Sequence, residues 1–228
     1  MDIDQLLRDA PPIHGDVTHG LIPQALERIA ATVKHGDRTI ETGSGHSTIA
    51  FALAGAEHTC IVPDEAEIAA IRSYCLTHSV GLDRVTFYPA LSEHVLPTLN
   101  PGPLDLALID GSHSFPQVFI DWFYIAEPLR IGGTLIVDDT HVWTGRVLRN
   151  FLQNEPGWRL ETELEGRTAV FTKIGDAGLN RVWDQQPYVA KRTGFGKPRS
   201  KARQVVSMVR HGQGGRLRDD LRRRLGRG

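Results

Sequence analysis

The chain has 228 residues, 40% hydrophobic and 23% charged, which is enough to bury one full core in an ordinary globular domain. No apolar run approaches the ~20 residues that span a bilayer. The opening MDIDQLLRDAPP carries acids where a secretory leader carries positive charge, so a cytoplasmic location is expected. A net charge of −1 conceals an asymmetry: residues 191–228 hold 13 of the 26 Lys and Arg but only two acids, Asp219 and Asp220, giving +11 against −12 for residues 1–190.

In chain order, Leu21, Ala25, Leu26, Ile29 and Val33 recur at helical spacing in LIPQALERIAATVKHG, which ends on a glycine. RTIETGSG reads as a strand running into a tight turn, HSTIAFALAGA as a helix, HTCIVP as a strand, and DEAEIAAIRSYCLTHSVG as a helix burying Ile68, Ile71 and Leu76. RVTFYPA is a third strand and SEHVLPTLN a short helical connection. LDLALID is a fourth strand. Ser114, Pro116 and Gln117 then resemble a capped start to a helix with Val118, Trp122 and Ile125 on its apolar stripe, and a Gly-Gly pair releases the strand TLIV. RVLRNFLQ is a last helix, and WRLETELEGRTAVFTK is a hairpin turning at Glu165-Gly166.

This alternation predicts an α/β fold: a doubly wound, mostly parallel seven-stranded sheet closed by a C-terminal antiparallel hairpin. The expected layout is an N-terminal segment over 1–19, the α/β domain over 20–175 and a basic extension over 176–228. Cys60 and Cys75, on a strand and a helix, are expected as buried reduced thiols.

Ligands of such sheets bind beyond the carboxyl ends of the strands. The first strand ends Glu41-Thr42-Gly43-Ser44-Gly45. A carboxylate there repels the pyrophosphate of a dinucleotide and suits a ligand carrying ammonium or sulfonium charge, and Thr48 stands where the dinucleotide fingerprint has its third glycine. An acid followed by a G-x-G turn resembles the first motif of the class I methyltransferases, over about residues 20–174. The resemblance implies S-adenosylmethionine as cofactor, its methionine part cradled by Glu41, Gly43, Ser44 and Gly45. The family also has a ribose-binding acid at the end of the second strand. Here Cys60 or Val62 holds that position, and Asp64, slightly later, either takes the ribose or caps the following helix.

Asp110-Gly111-Ser112-His113 follows the fourth strand, and Asp138-Asp139 the fifth. If those strands are neighbours, three carboxylates meet at one crevice beside the cofactor, where like charges repel unless a cation joins them. Oxygen ligands favour magnesium, manganese or calcium. The alternative is that the acids cap a helix and anchor a loop. D-x-x-H followed by paired acids is similar to the metal-dependent O-methyltransferases that act on sugar hydroxyls in antibiotic biosynthesis, and to uncharacterised bacterial relatives. That resemblance implies Asp110, Asp138 and Asp139 as ligands of a divalent cation, magnesium by preference. It makes His113 the base and Asp110 a further cofactor neighbour.

His35, His58, His78 and His94 read as solvated, His141 as either a site residue or structural, and His14 and His19 as candidates for the mouth of the pocket. Trp143 is either a stacking platform or helix packing. The basic arm, with Val205, Val206, Met208 and Val209 at helical spacing, suits an acidic surface, a membrane or a nucleic acid, and a homo-oligomer is left open. The resulting expectation is an O-methyltransferase acting on a hydroxyl of a sugar or other small polar metabolite with a divalent cation. Its rivals are a diverged hydroxylase-like enzyme and a non-catalytic scaffold that uses the tail.

Overall fold

The computed structural model describes residues 1–9, 11–13 and 20–193, and the chain divides into two units, Met1–Asn180 and Arg181–Gly228. His14, His19 and Val205 to Val209 lie outside the described residues. The first unit runs α1 (Ile3–Asp9), α2 (Pro23–Thr32), β1 (Arg38–Thr42), α3 (His46–Leu53), β2 (Glu57–Ile61), α4 (Glu65–Thr77) and β3 (Val85–Tyr88). It continues with α5 (Ser92–Val95), β4 (Leu104–Ile109), α6 (Gln117–Ala126), β5 (Leu129–Val137), α7 (Trp143–Asn154), β6 (Trp158–Leu164) and β7 (Thr168–Lys173). The second unit holds a 3-10 turn, Trp183–Gln185, and α8 (Pro187–Thr193), on which the Arg192 guanidinium lies 3.6 Å from the centre of the Tyr188 ring.

The seven strands form one sheet in the order β3-β2-β1-β4-β5-β7-β6. The first five are parallel, while β7 runs antiparallel to both β5 and β6. The chain winds outward from β1 to β3 and then returns to lay β4 against the free side of β1. The crevice at this reversal of winding is where open α/β sheets bind ligands. Between the paired Leu164 and Thr168, the β6–β7 loop places Glu165 and Gly166 at φ 50° and 65°, and Arg167 closes the turn by giving its N–H to the Leu164 carbonyl at 3.0 Å.

Both faces of the sheet are covered. Leu106, Leu108, Ile136 and Val170 share a core with Leu26 and Ile29 of α2, Phe51 of α3 and Ile71 of α4. Leu6 of α1 and Ile13 belong to the same core. Period-two alternation sends Ala107, Ile109, Leu135 and Val137 to the other face. There α6 packs on β4, and Trp122 of α6 meets Phe151 of α7 with ring centres 5.1 Å apart.

Three local expectations are corrected. Leu76 is 83% exposed, because the buried stripe of α4 is Ile68, Ile71 and Cys75, spaced three and four apart, and Leu76 lies one residue beyond it. Ser114 does not cap α6. Pro116 stands at the N-cap, and the Ser114 hydroxyl sits 2.8 Å from that of Ser112. The Gly-Gly pair lies inside β5, which begins at Leu129, beside an irregularity in its pairing with β4. Cys60 and Cys75 are free and buried as expected, and burial pushes the Cys75 thiol up to about 11. Among the described residues, no helix is long and apolar enough to cross a membrane.

Candidate active site

At the reversal of winding a cleft of about 670 Å³ opens beyond the carboxyl ends of the strands, within the range of small-molecule sites. Its walls come from the Thr42–Ser44 turn after β1, Ile61–Asp64 after β2, Asp110–Ser114 after β4, and Asp139 and His141 after β5. Glu67, Leu91–Glu93, Gln117 and Arg167 complete it.

The β1 turn is held against the β4 loop. Asp110 donates its backbone N–H to the Thr42 carbonyl at 3.0 Å, and Gly43 donates to the Ile61 carbonyl at 2.9 Å. Gly43 has φ +90°, and a Cβ placed on it would stand 2.3 Å from the Asp110 carbonyl oxygen. Only glycine meets both conditions. Ser44 donates its hydroxyl to Glu67 at 2.7 Å.

Glu41 does not face the cleft, as the sequence reading had it. It is fully buried, accepting Ser47 Oγ at 2.6 Å, Thr48 Oγ1 at 2.5 Å and the His58 ring at 3.0 Å. A carboxylate taken from water needs such donors, and the first turn of α3 supplies two of them. Gly45 is likewise behind the wall, as the N-cap of α3, with its N–H given to Thr48 Oγ1 at 3.1 Å. His58, expected in solvent, is 1% exposed.

At the end of β2, Asp64 caps α4 by accepting the Ala66 N–H at 2.8 Å, the second of its two expected roles, and the residue also lines the cleft. Glu67 lies three residues on, in the first turn of α4, and also lines the cleft, a placement the sequence reading missed although the spacing puts both acids on one helical face.

The expected neighbourhood of β4 and β5 is present: Ile109 pairs with Val137, and Asp138 donates its N–H to the Ile109 carbonyl at 3.0 Å. Three carboxylates do converge, but not as one ligand set. Asp138 is buried, accepting the Thr168 hydroxyl and an Arg167 N–H at 3.4 Å, and is not part of the cleft wall. Asp139 takes φ +49°, a left-handed conformation that asparagine and aspartate tolerate better than other side chains, and reaches His113 Nε2 at 2.7 Å. Arg167 Nε lies 2.9 Å from its other oxygen and His141 Nδ1 3.5 Å. Donor atoms of Asp110, His113 and Asp139 lie within 4.8 Å of one another.

These charges set the protonation of the acids. Burial raises the Asp110 carboxyl well above the ordinary carboxylate range, reinforced by Asp138, Asp139 and Glu41 and opposed by Arg167. Burial pushes Asp139 upward as well, but His113, Arg167 and His141 together hold it below its ordinary value. The cation that the acids demanded is in part a protein side chain. Arg167 was missed because it follows a hairpin turn, far from either acidic motif. It arrives because antiparallel β7 begins where β5 ends, which the expected hairpin could have indicated.

His113 is held from behind by the Thr144 hydroxyl, which donates to its carbonyl from the first turn of α7. Trp143, beside it, is 58% exposed and so does not serve as core packing. A further wall is cross-linked: Gln117 donates to Ser92 at 2.9 Å and Glu93 at 2.8 Å, and Ser92 to the buried Asp121 at 2.6 Å.

Residues 40–140 match a family described as a methyltransferase domain. No curated protein sequence matches. Solved structures share the fold at low identity. The O-methyltransferase TomG from Streptomyces achromogenes, involved in tomaymycin synthesis and solved with S-adenosylmethionine, is 17% identical, with 75% of this chain and 91% of that one covered at a TM-score of 0.59. An O-methyltransferase from Bacillus cereus, solved with S-adenosylhomocysteine, is 18% identical over 75% and 90% of the two chains, with a TM-score of 0.59. A putative caffeoyl-CoA O-methyltransferase from Staphylococcus aureus is 16% identical over 76% and 92%, with a TM-score of 0.61. Residues 40–140 are thus similar to a methyltransferase domain, and the strand order, with the cleft at its reversal of winding, is a fold this chain shares with these methyltransferase structures.

Proposed function

We propose that the protein moves the methyl group of S-adenosylmethionine to a hydroxyl of a sugar or other small polar metabolite, with His113 as base. The observation that carries this reading is the 2.7 Å pair of His113 and Asp139 on the same cleft as the Thr42–Ser44 turn. The turn offers the methionine part of the cofactor an open backbone approach, and Asp64 or Glu67 offers the ribose hydroxyls a carboxylate. With Nε2–H given to Asp139, the neutral imidazole keeps a lone pair on Nδ1 for the acceptor proton. S-adenosylmethionine bound there would supply the methyl group to the acceptor oxygen and leave as S-adenosylhomocysteine, while His113 would take the acceptor proton. Free, buried Cys60 and Cys75 support a cytoplasmic setting.

A second reading adds a divalent cation, favoured by the clustering of Asp110, His113 and Asp139 donor atoms within 4.8 Å. These three would hold one cation by exchanging the His113 and Arg167 partners of Asp139 for the metal. The set Asp110, Asp138 and Asp139 would not, because the Asp138 oxygens are committed to Thr168 and Arg167. A cation held there would lower the pKa of the acceptor hydroxyl. His113 would then be a ligand rather than the base.

Calorimetric titration with S-adenosylmethionine, followed by turnover of a panel of sugar and small polyol acceptors with magnesium and with EDTA, separates these statements. Absence of cofactor binding overturns the whole reading. Full activity in EDTA selects the His113 base, and loss of activity restored by magnesium selects the cation.

A further inference from the structure

Behind the cofactor turn lies a buried polar chain that the proposed chemistry does not use. Thr39 Oγ1 and His58 Nδ1 are 2.8 Å apart, on residues directly paired across β1 and β2. His58 Nε2 reaches Glu41 Oε1 at 3.0 Å, and Glu41 takes the hydroxyls of Ser47 and Thr48. Thr48 in turn accepts the Gly45 N–H at 3.1 Å, and Cys60 Sγ donates to the Gly43 carbonyl at 3.4 Å. The ring of Phe51 stacks on His58 with centres 4.3 Å apart and planes 16° apart, so the imidazole is fixed in plane as well as at both nitrogens. Donor atoms of Glu41, His58 and Cys60 cluster closely enough to suggest a metal. However, the carboxylate already accepts three hydrogen bonds, so the cluster is a brace rather than an open ligand set.

We propose that His58 is a positioning residue for the cofactor site, setting the conformation of the Gly43–Gly45 turn through Glu41, Ser47 and Thr48. Both His58 and Glu41 side chains are withdrawn from solvent entirely. A buried carboxylate deprived of one donor cannot turn to water and must draw its remaining donors toward itself. Those donors belong to the first turn of α3, whose N-cap is Gly45, so the displacement is delivered to the turn that meets the cofactor. The Glu41 carboxylate only accepts and so calls for the proton on Nε2, and in that neutral tautomer Nδ1 accepts the Thr39 hydroxyl, which holds the ring from its other edge.

The inference rests on the methyl-transfer reading, and the measurements separate the two. Cofactor affinity is taken by calorimetry on the full chain, well below its melting temperature, beside kcat and the KM of an accepted hydroxyl substrate. His58→Leu should weaken S-adenosylmethionine binding by about tenfold, the scale of one orphaned buried acceptor, and leave the acceptor KM unchanged. His58→Gln, whose amide can place an N–H near the Nε2 position, should recover most of that affinity. A residue serving stability alone would lower the melting temperature and leave the affinity of the folded protein intact. Thr39→Val removes only the hydroxyl that orients the ring and carries the same test should His58→Leu not fold: a severalfold rise in Kd is expected. Parental affinity in His58→Leu or Thr39→Val overturns the proposal, as does a His58→Gln variant as weak as His58→Leu. A parent protein that binds no S-adenosylmethionine overturns the functional reading instead.

Discussion

Arg167 Nε stands 2.9 Å from Asp139 Oδ1 while its Nη2 stands 3.4 Å from Asp138 Oδ2, so one guanidinium serves both acids that follow β5. This relationship changes the argument from charge. Carboxylates crowded at the end of two strands require a positive partner, and here the chain supplies one from the start of β7. Arg167→Gln should therefore weaken folding by about 2–3 kcal/mol, toward the lower end of what breaking a buried pair costs because Arg167 is partly exposed. The same variant should bind magnesium or manganese more tightly than the parent, since a competing cation has been removed from Asp139. Urea unfolding and a metal titration by calorimetry check both. An unchanged midpoint, or weaker metal binding, would show that the guanidinium does not serve as counter-ion.

His113→Ala should lower kcat by roughly 10²-fold, the scale of a lost positioned base. The Kd for S-adenosylmethionine should stay within about twofold, because the Thr42–Ser44 turn proposed for the cofactor is held by the backbone bonds of Gly43 to Ile61 and of Asp110 to Thr42 rather than by the imidazole. Rapid-quench single-turnover measurements at saturating cofactor test the chemical step directly. A variant as fast as the parent would remove His113 from the reaction.

Gly43→Ala should damage the fold and the site together. Its Cβ would stand 2.3 Å from the Asp110 carbonyl and would have to adopt φ +90°. Backbone oxygen cannot move aside as a side-chain tip can, so the cost exceeds the ~1 kcal/mol of the conformational term alone. A fall in melting temperature accompanied by loss of calorimetric heat with S-adenosylmethionine is expected. A variant with parental stability and no binding would instead place Gly43 in ligand contact alone.

The sequence made the order of elements, the cleft and most of its acidic wall legible, because apolar runs mark parallel strands and ligand residues follow them directly. It did not show which way Glu41 faces. In a strand the face alternates with each residue, and the face is decided by neighbours far away in the chain: His58 across β2, and Ser47 and Thr48 at the start of α3. His58 itself reads as a solvated residue between Glu57 and Thr59 until the pairing of β1 with β2 sets it beside Thr39. Asp138 and Asp139 are adjacent in sequence but divide at the strand end, one turned to Thr168 and the other to His113. Arg167 lies 57 positions beyond Asp110, and only the antiparallel return of β7 brings it to the cleft.

Asp139 also makes stability depend on pH in a stated direction. Burial acts to raise its carboxyl pKa, and His113, Arg167 and His141 outweigh burial, so the folded value lies below the ordinary one. A group with a depressed folded pKa contributes stability that is fully present above its unfolded pKa, ~3.9, and that is lost as pH falls through the lower folded value. The parent should therefore lose more stability between about pH 5 and pH 2 than Asp139→Asn does. Urea midpoints measured across that range decide it, and identical acid limbs in the two proteins would show that Asp139 is not held ionised by its neighbours.

Asp64 offers the separation of a structural role from a binding one at a single position. Its carboxylate caps α4 through the Ala66 N–H at 2.8 Å and also borders the cleft. Asparagine caps helices about as well as aspartate, so Asp64→Asn should leave the urea midpoint close to that of the parent. It replaces one of two equivalent acceptor oxygens by a donor and removes the negative charge, which a ribose diol bound in a two-oxygen grip would feel as a loss of about tenfold in cofactor affinity. Glu67→Gln supplies the comparison, because Glu67 borders the same part of the cleft and already accepts the Ser44 hydroxyl at 2.7 Å. A rise in the Kd for S-adenosylmethionine in Asp64→Asn alone assigns the ribose to Asp64, and a rise in Glu67→Gln alone assigns it to Glu67. Parental affinity in both variants, measured by calorimetry at the same temperature, would leave Asp64 as the cap of α4 and nothing more.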